Sequence, residues 1–354
     1  RPSLVIRGPR AFNLKGDDVS IPLGRMTVVT GVSGSGKSTL LETVLHRGIR
    51  RHRGEVTDAP GDHDGLDGLE AVDEVHWIDQ SPPAANPRAN PATYVKAWDG
   101  IRALFAKQPL ARRRGYTSGT FSFNAGTGRC PACEGAGHER IEMQFLSDVL
   151  LVCSLCEGAR FVPEVLEVTW EDRTIADMLQ LTVHDALDVL PPRSSAHKHL
   201  SALRRVGLGY LTLGQSLATL SGGEAQRLKI AHHLGSVKTH RALFLLDEPT
   251  TGLHLADVDG LIVNLEELAA AGNTVVVVEH HLDVIAASDH IIELGPEGGD
   301  AGGHLVFEGS PAGLAEADTP TGVHLKRWLA GVDPLDAPRA ERGPRDGLSE
   351  AGRP

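Results

Sequence analysis

Gly31-Val32-Ser33-Gly34-Ser35-Gly36-Lys37-Ser38-Thr39 is the stretch that decides the fold. It satisfies G-x-x-x-x-G-K-[ST], and it lies between an apolar run at residues 26–30 and Leu40, Leu41, Val44 and Leu45 at helical spacing. A strand, a glycine loop and a helix in that order make a phosphate cradle. Gly31, Ser33, Gly34 and Gly36 let backbone N–H groups wrap a polyphosphate, and Lys37 neutralises its charge. Ser38 offers a hydroxyl to Mg2+, and Thr39 leads into a helix whose N-terminal dipole favours an anion. An ordinary glycine turn matches the pattern but lacks this setting. The ligand implied is ATP with Mg2+.

Two further stretches complete the chemistry. Leu243-Phe244-Leu245-Leu246-Asp247-Glu248-Pro249-Thr250 is an apolar strand that delivers two acids at its end. Asp247 can hold Mg2+ through water, and Glu248 can orient or deprotonate an attacking water. Residues 274–278 form a second short apolar run, and Glu279-His280 follows it, so His280 ends a buried strand where it can sense a γ-phosphate. Strands apolar throughout are buried on both faces, which predicts a parallel sheet. Leu220-Ser221-Gly222-Gly223-Glu224 reads in two compatible ways. Ser221 and Glu224 make a capping box for a helix over residues 225–234. Ser221, Gly222 and Gly223 also open a helix N-terminus that can take phosphate, and they match the signature of ABC ATPases.

The chain's four cysteines form two CxxC pairs, Cys130 with Cys133 and Cys153 with Cys156, and 19 residues separate the pairs. That spacing is typical of zinc sites, and four thiolates close a tetrahedral structural site with no open position for catalysis. Glycines at 126, 128, 135, 137 and 158 suit tight knuckles.

Over 354 residues there is room for two or three compact units. No uncharged apolar run approaches the roughly 18 residues of a membrane span, so no membrane half of a transporter is expected. The chain opens Arg1-Pro2-Ser3 with no apolar signal core, and it reads as cytoplasmic and cut from a longer polypeptide. The net charge of −11 argues against a general nucleic-acid coat. Residues 107–129 differ: Lys107, Arg112, Arg113, Arg114 and Arg129 occur there with no acid, interleaved with Tyr116, Phe121 and Phe123. Duplex DNA is the partner this stripe implies, with Arg112, Arg113, Arg114 and Arg129 as phosphate ligands. Residues 46–53 carry four arginines and read as a solvated cluster.

The expected organisation is an α/β ATP-binding core over residues 1–80 and 221–330, interrupted by a largely helical insertion at 81–220. A zinc module occupies about 115–162. Residues 54–70 read as a surface loop, residues 81–91 with four prolines as a hinge, and residues 331–354 as a disordered tail.

Together the phosphate loop, Ile78-Asp79-Gln80-Ser81-Pro82, the cysteine set, residues 220–227, 246–254 and 275–280 resemble the second nucleotide-binding half of the UvrA family, the damage-recognising subunit of the bacterial excinuclease system. Asn90-Pro91-Ala92-Thr93-Tyr94, Phe121-Ser122-Phe123-Asn124 and residues 295–300 carry the same resemblance, which spans about residues 4–330. It implies an ABC-type P-loop ATPase with an inserted signature domain carrying a zinc module. Damaged double-stranded DNA is the implied partner, with a second half or a second copy to complete the ATP sites and a UvrB-like repair protein. Gln80 is the implied hinge glutamine coupling the γ-phosphate to the insertion. ATP hydrolysis is expected, without nuclease activity. Three departures stand out: the family's first half and its UvrB-binding insertion are absent from the sequence, His281 replaces the usual Asn, and Thr117 and Thr120 stand where basic residues are expected. Resistance to DNA-binding drugs and a transporter ATPase are the alternative functions.

Overall fold

In the computed structural model, residues 2–81, 83, 88–141, 149–236 and 241–331 are described. The strands are β1 (Ser3–Arg7), β2 (Val19–Pro22), β3 (Met26–Gly31), β4 (Gly65–Asp67), β5 (Glu74–Ile78), β6 (His138–Ile141), β7 (Val149–Val152), β8 (Thr169–Trp170), β9 (Arg173–Thr174), β10 (Ala242–Asp247), β11 (Thr274–Val278), β12 (His290–Gly295) and β13 (His304–Gly309). The central sheet runs β13-β12-β3-β11-β10-β5. Its neighbours are parallel except β12 and β13. A smaller antiparallel sheet, β2-β1-β4, packs with it.

Alternation along the strands explains why they read as continuous apolar runs. On β10, Ala242, Phe244 and Leu246 enter one core, while Leu243 and Leu245 enter the other. Val275 and Val277 of β11 follow the first set, and Val276 and Val278 the second. One face is covered by Leu40, Leu41, Val44, Leu45 and Ile49 from the helical run after the phosphate loop, together with the small sheet. That run is π-wound over Thr39–His46 and α-helical over Arg47–His52. The opposite core is continuous with the helices between β5 and β10, including Trp98, Ile101, Phe105, Leu200 and Leu203. A sheet buried on both faces fixes where its strands end, and in parallel sheets those carboxyl ends carry ligands.

Several expectations need correction. Residues 54–70 are not all loop, because β4 pairs with β1 through Asp67 to Val5, Leu66 to Ile6 and Gly65 to Arg7. With Leu66 as its lone apolar side chain, β4 has no alternation to read. Glu74-Val75-His76-Trp77-Ile78 was not expected as a strand, yet it is the sheet edge beside β10. An edge strand tolerates such mixed chemistry. The arginines at 46–53 are less solvated than expected: Arg47 faces Glu42 and Asp58, Arg50 pairs with Glu55, Arg53 donates to the Val72 carbonyl, and Arg51 is exposed. Of the expected hinge, residues 82 and 84–87 lie outside the described residues, as do 142–148 of the expected zinc module and 332–354 of the tail.

Candidate functional site

The phosphate loop turns from β3 into its helix with Gly31 at φ +129°, Gly34 at +76° and Gly36 at +102°. Close approach as well as φ demands glycine at 31, since an added Cβ would stand 1.9 Å from the Leu294 carbonyl oxygen. A cleft of about 230 Å3 opens here, lined by Asn13, Ser33, Gly34, Gly36, Lys37, Ser38, Thr39, Glu248 and His280. Lys37 is buried, and its Nζ donates to the Gly31 carbonyl at 3.0 Å and the Val32 carbonyl at 2.8 Å. Burial pushes its pKa down, against the opposing charges of Glu248 and Asp247.

Parallel pairing of β10 with β11 brings Asp247 level with Val278 and so sets the next residue, Glu248, beside His280. Ser38 Oγ donates to Asp247 Oδ1 at 3.4 Å, a hydroxyl and carboxylate pair of the hard-oxygen kind that Mg2+ takes. Burial, and then the charge of Glu248, raise Asp247 above the ordinary carboxylate range. Glu248 has φ +45°, a left-handed conformation that is costly for a residue with a Cβ and is found where geometry serves function. Its Oε1 lies 3.7 Å from His280 Nε2. Burial and the nearby Lys37 charge hold His280 below its usual pKa, so its imidazole is mainly neutral at pH 7.

Residues not singled out by sequence hold this arrangement. Glu279 is buried: its Oε1 accepts from Thr250 N at 2.9 Å and Thr250 Oγ1 at 2.6 Å, and its Oε2 from His280 N at 2.8 Å and His281 N at 3.1 Å. Asn13 Nδ2 donates to the Gly34 and Gly299 carbonyls and braces the phosphate loop. An acid adjoining the histidine was the one signal available for Glu279.

The capping box at 221–224 forms as expected, with Glu224 N donating to Ser221 Oγ at 3.3 Å and Ser221 N to Glu224 Oε2 at 2.7 Å. It starts the helix Gly222–Ser236. None of Ser221, Gly222 and Gly223 lines the phosphate cleft. Gln80 is also outside it, and its Oε1 would lie 3.4 Å from a Cβ placed on Gly222. Gln226 Nε2 bonds the Ile78 carbonyl at 3.3 Å and the Asp247 carbonyl at 2.6 Å, and Lys229 Nζ bonds Asp79 Oδ1 at 2.5 Å and Ser81 Oγ at 2.9 Å. One helix is thereby pinned to the ends of β5 and β10 and to the segment containing Gln80.

The four cysteine sulfurs lie within 4.8 Å of one another. Cys130 to Cys153 is 3.9 Å and Cys133 to Cys156 is 3.6 Å. A tetrahedral zinc with Zn–S of about 2.3 Å needs sulfurs about 3.8 Å apart, so the set fits zinc. Gly137 N donates to Cys133 Sγ at 3.2 Å, a backbone bond that suits a metal thiolate.

No family model matches the chain. UvrABC system protein A of Thermus thermophilus is 51% identical over 324 residues, which is 92% of this chain and 34% of that protein. The protein of the same name from Deinococcus radiodurans is 47% identical over 349 residues, 98% of this chain and 34% of its own length. The crystal structure of UvrA2 from Deinococcus radiodurans superposes with a TM-score of 0.83 at 44% identity, covering 94% of this chain and 40% of that one. Over the span it covers, the chain is similar to UvrA proteins.

The chain spans about a third of the length of the curated UvrA relatives it matches. Its basic stripe departs in part from what its charge and interleaved aromatics led us to expect. Phe121 and Phe123 are fully buried, with Phe121 packed on Phe105 and Phe123 on Trp98 and Phe161, so they are core side chains and offer no stacking surface. Arg114 is ion-paired with Glu167 and donates to the Glu164 carbonyl. Arg129 donates to the Asn124 carbonyl. Arg112 and Arg113 are exposed, and among the described residues no hydrogen bond or ion pair holds their guanidinium groups. Among those residues, too, no helix is long and apolar enough to cross a membrane.

Proposed function

We propose that this segment is the second nucleotide-binding half of a UvrA-type ATPase of nucleotide excision repair. It hydrolyses ATP, engages damaged double-stranded DNA and loads a UvrB-like partner in the cytoplasm. The observation that carries this is one cleft uniting Lys37, Ser38, Glu248 and His280 in a chain whose insertion also holds a zinc-fitting cysteine set. Residues 1–80 and 221–330 are the ATP core, and 81–220 is the signature domain, with the zinc module at about 115–162.

In this reading Lys37 and the amides of the phosphate loop bind the β and γ phosphates. Ser38 and Asp247 hold Mg2+, which when bound neutralises charge developing on the transferred phosphoryl. Glu248 orients the attacking water and takes its proton, while His280 senses the γ-phosphate. Cys130, Cys133, Cys153 and Cys156 hold zinc as a closed structural site. Ser221, Gly222 and Gly223 serve the phosphate loop of another half, either in the parent polypeptide or in a second copy. Their exclusion from the cleft of their own chain supports this division. Gln80, standing against Gly222, links nucleotide state to the signature.

Binding of lesion-bearing and intact duplexes, measured by fluorescence anisotropy with and without ATP, tests the proposal. We expect ATP-dependent binding that favours the lesion. Replacing both Arg112 and Arg113 by Glu is expected to weaken both duplexes alike and to reduce the log–log salt slope by about 1.8. A protein that hydrolyses ATP but binds neither duplex overturns the DNA assignment.

A further inference from the structure

Arg160 sits where the second cysteine loop meets the helical segment. Its carbonyl accepts from the Cys130 amide at 2.9 Å, and its own amide is in hydrogen-bonding position to the Cys156 sulfur. The backbone of this residue therefore joins both halves of the cysteine cluster. Its side chain makes different contacts. Nη2 donates to the Gly214 carbonyl at 3.0 Å, and the guanidinium carbon stands 5.2 Å from the centroid of the buried Phe123 ring. Nη1 is buried with no hydrogen-bond partner among the described residues.

An arginine keeps its charge when buried, so this cation needs an anion nearby. Burial pushes its pKa down, and charge on Cys133 and Cys156 opposes that shift. Four thiolates around a divalent ion leave a net charge of about −2 on the cluster, and a metal-loaded site supplies the missing anion. Space has been left for the contact: a Cβ on Gly137 would stand 3.0 Å from Arg160 Cγ and 3.3 Å from its Nε. Gly137 is also the residue whose amide bonds Cys133 Sγ. On the other side, Gly214 N donates to the Leu179 carbonyl at 2.8 Å, which ties the same backbone into the helical core. Gly214 precedes Ser221 on a short connecting segment.

We propose that Arg160 is a positioning residue that neutralises the metal-loaded cysteine cluster and fastens it to the segment leading into Ser221. Metal occupancy and the order of residues 211–221 are thereby coupled. This deepens the zinc reading above and rests on it. It also gives the cysteine cluster a consequence for the ATPase signature, although the two share no residue.

The test uses the full chain. Zinc affinity is measured by competition with a chromogenic chelator, and amide hydrogen exchange over residues 211–221 is followed with zinc bound and removed. Arg160→Met keeps an apolar stem over Phe123 and removes the charge and donors. We expect it to weaken zinc binding about tenfold or more. In the unsubstituted chain, zinc removal should speed exchange at 211–221; in Arg160→Met exchange should already be fast, and removal should add nothing. Arg160→Lys separates the two contributions and decides the matter should the Met variant not fold. It is expected to recover most of the zinc affinity while residues 211–221 stay fast. An arginine that serves only packing would lower thermal stability without moving zinc affinity. Zinc affinity of Arg160→Met within about twofold of the unsubstituted chain overturns the inference. So does an Arg160→Lys chain whose exchange still follows zinc as before. An unsubstituted chain that takes up no zinc overturns both this inference and the metal reading, which distinguishes the two failures.

Discussion

The phosphate cleft and the cysteine cluster are held in different ways. The cleft collects Asn13, Ser33, Gly34, residues 36–39, Glu248 and His280 from distant parts of the chain, and they are held by a sheet buried on both faces. The cluster collects two loops around Cys130, Cys133 and Cys153, which pack chiefly on one another with Ala136 and Cys156 partly buried beside them. Apolar area buried by the sheet fixes the cleft independently of any ligand. The cluster has almost no apolar area of its own, so in the proposed reading its order would depend on a bound ion. Ligand removal should therefore leave the cleft intact and loosen the cluster.

The largest expected effect follows from this contrast. Structural zinc is worth about 10–16 kcal/mol in small isolated modules, so stripping it or substituting Cys153→Ser should deprotect residues 125–141 and 149–160 to hydrogen exchange. ATP affinity should stay unchanged, because no cysteine lines the cleft. Elemental analysis should find one zinc per chain beforehand. Loss of ATP binding together with the metal would break the comparison.

Next in size is Glu248→Gln, which keeps shape and removes the base. Hydrolysis by the assembled protein should fall by about 10²–10⁴ while ATP binding persists. A variant that hydrolyses ATP at the unsubstituted rate would remove Glu248 from the mechanism.

Glu279→Gln sharpens the claim that the cleft is prebuilt. The amide has one acceptor oxygen where the carboxylate offers two to its four donors, so either the Thr250 N–H and O–H or the His280 and His281 amides face an NH2. A loss of about 1–3 kcal/mol in stability is expected from urea unfolding. Turnover should fall more than ATP affinity, since His280 is displaced and Lys37 is not.

The effect that is smallest near neutral pH, and grows only on acidification, comes from a titrating group. Burial, with the charges of His76 and His232, pushes His233 down to about 3, from an unfolded value near 6.5. The folded state thus resists protonation that the unfolded state accepts. Stability should be complete above pH 6.5 and fall by about 1.4 kcal/mol per pH unit as the pH drops from there toward 3. His233→Phe, on a ring already packed against Phe244, should reduce that slope in pH-dependent urea melts. An unchanged slope would remove His233 as its source.

Much of the cleft was legible because each requirement lies within a few contiguous residues. A phosphate loop needs glycines where φ is positive and a lysine at a fixed offset, and both are written into residues 31–39. The cysteine pairs were legible for the same reason, since each knuckle is closed by residues three apart. Residues 243–246 and 274–278 were legible as buried strands because burial on both faces leaves an unbroken apolar run. The resemblance to UvrA rested on these same local words.

Only the tertiary structure could decide partners. Phe121 and Phe123 look the same in sequence whether they stack on a base or fill a core, and Phe105, Trp98 and Phe161 make them core. Arg114 looked free to meet a phosphate until Glu167 was brought against it. The four donors on Glu279, the place of Gln80 beside Gly222, and β4 and β5 belong to the same class. Backbone conformation and metal spacing are constrained by neighbouring residues, so the sequence alone determines them. What an apolar or charged side chain touches depends on which distant element packs there, and that is set only when the sheet and the helices between β5 and β10 close around a shared core.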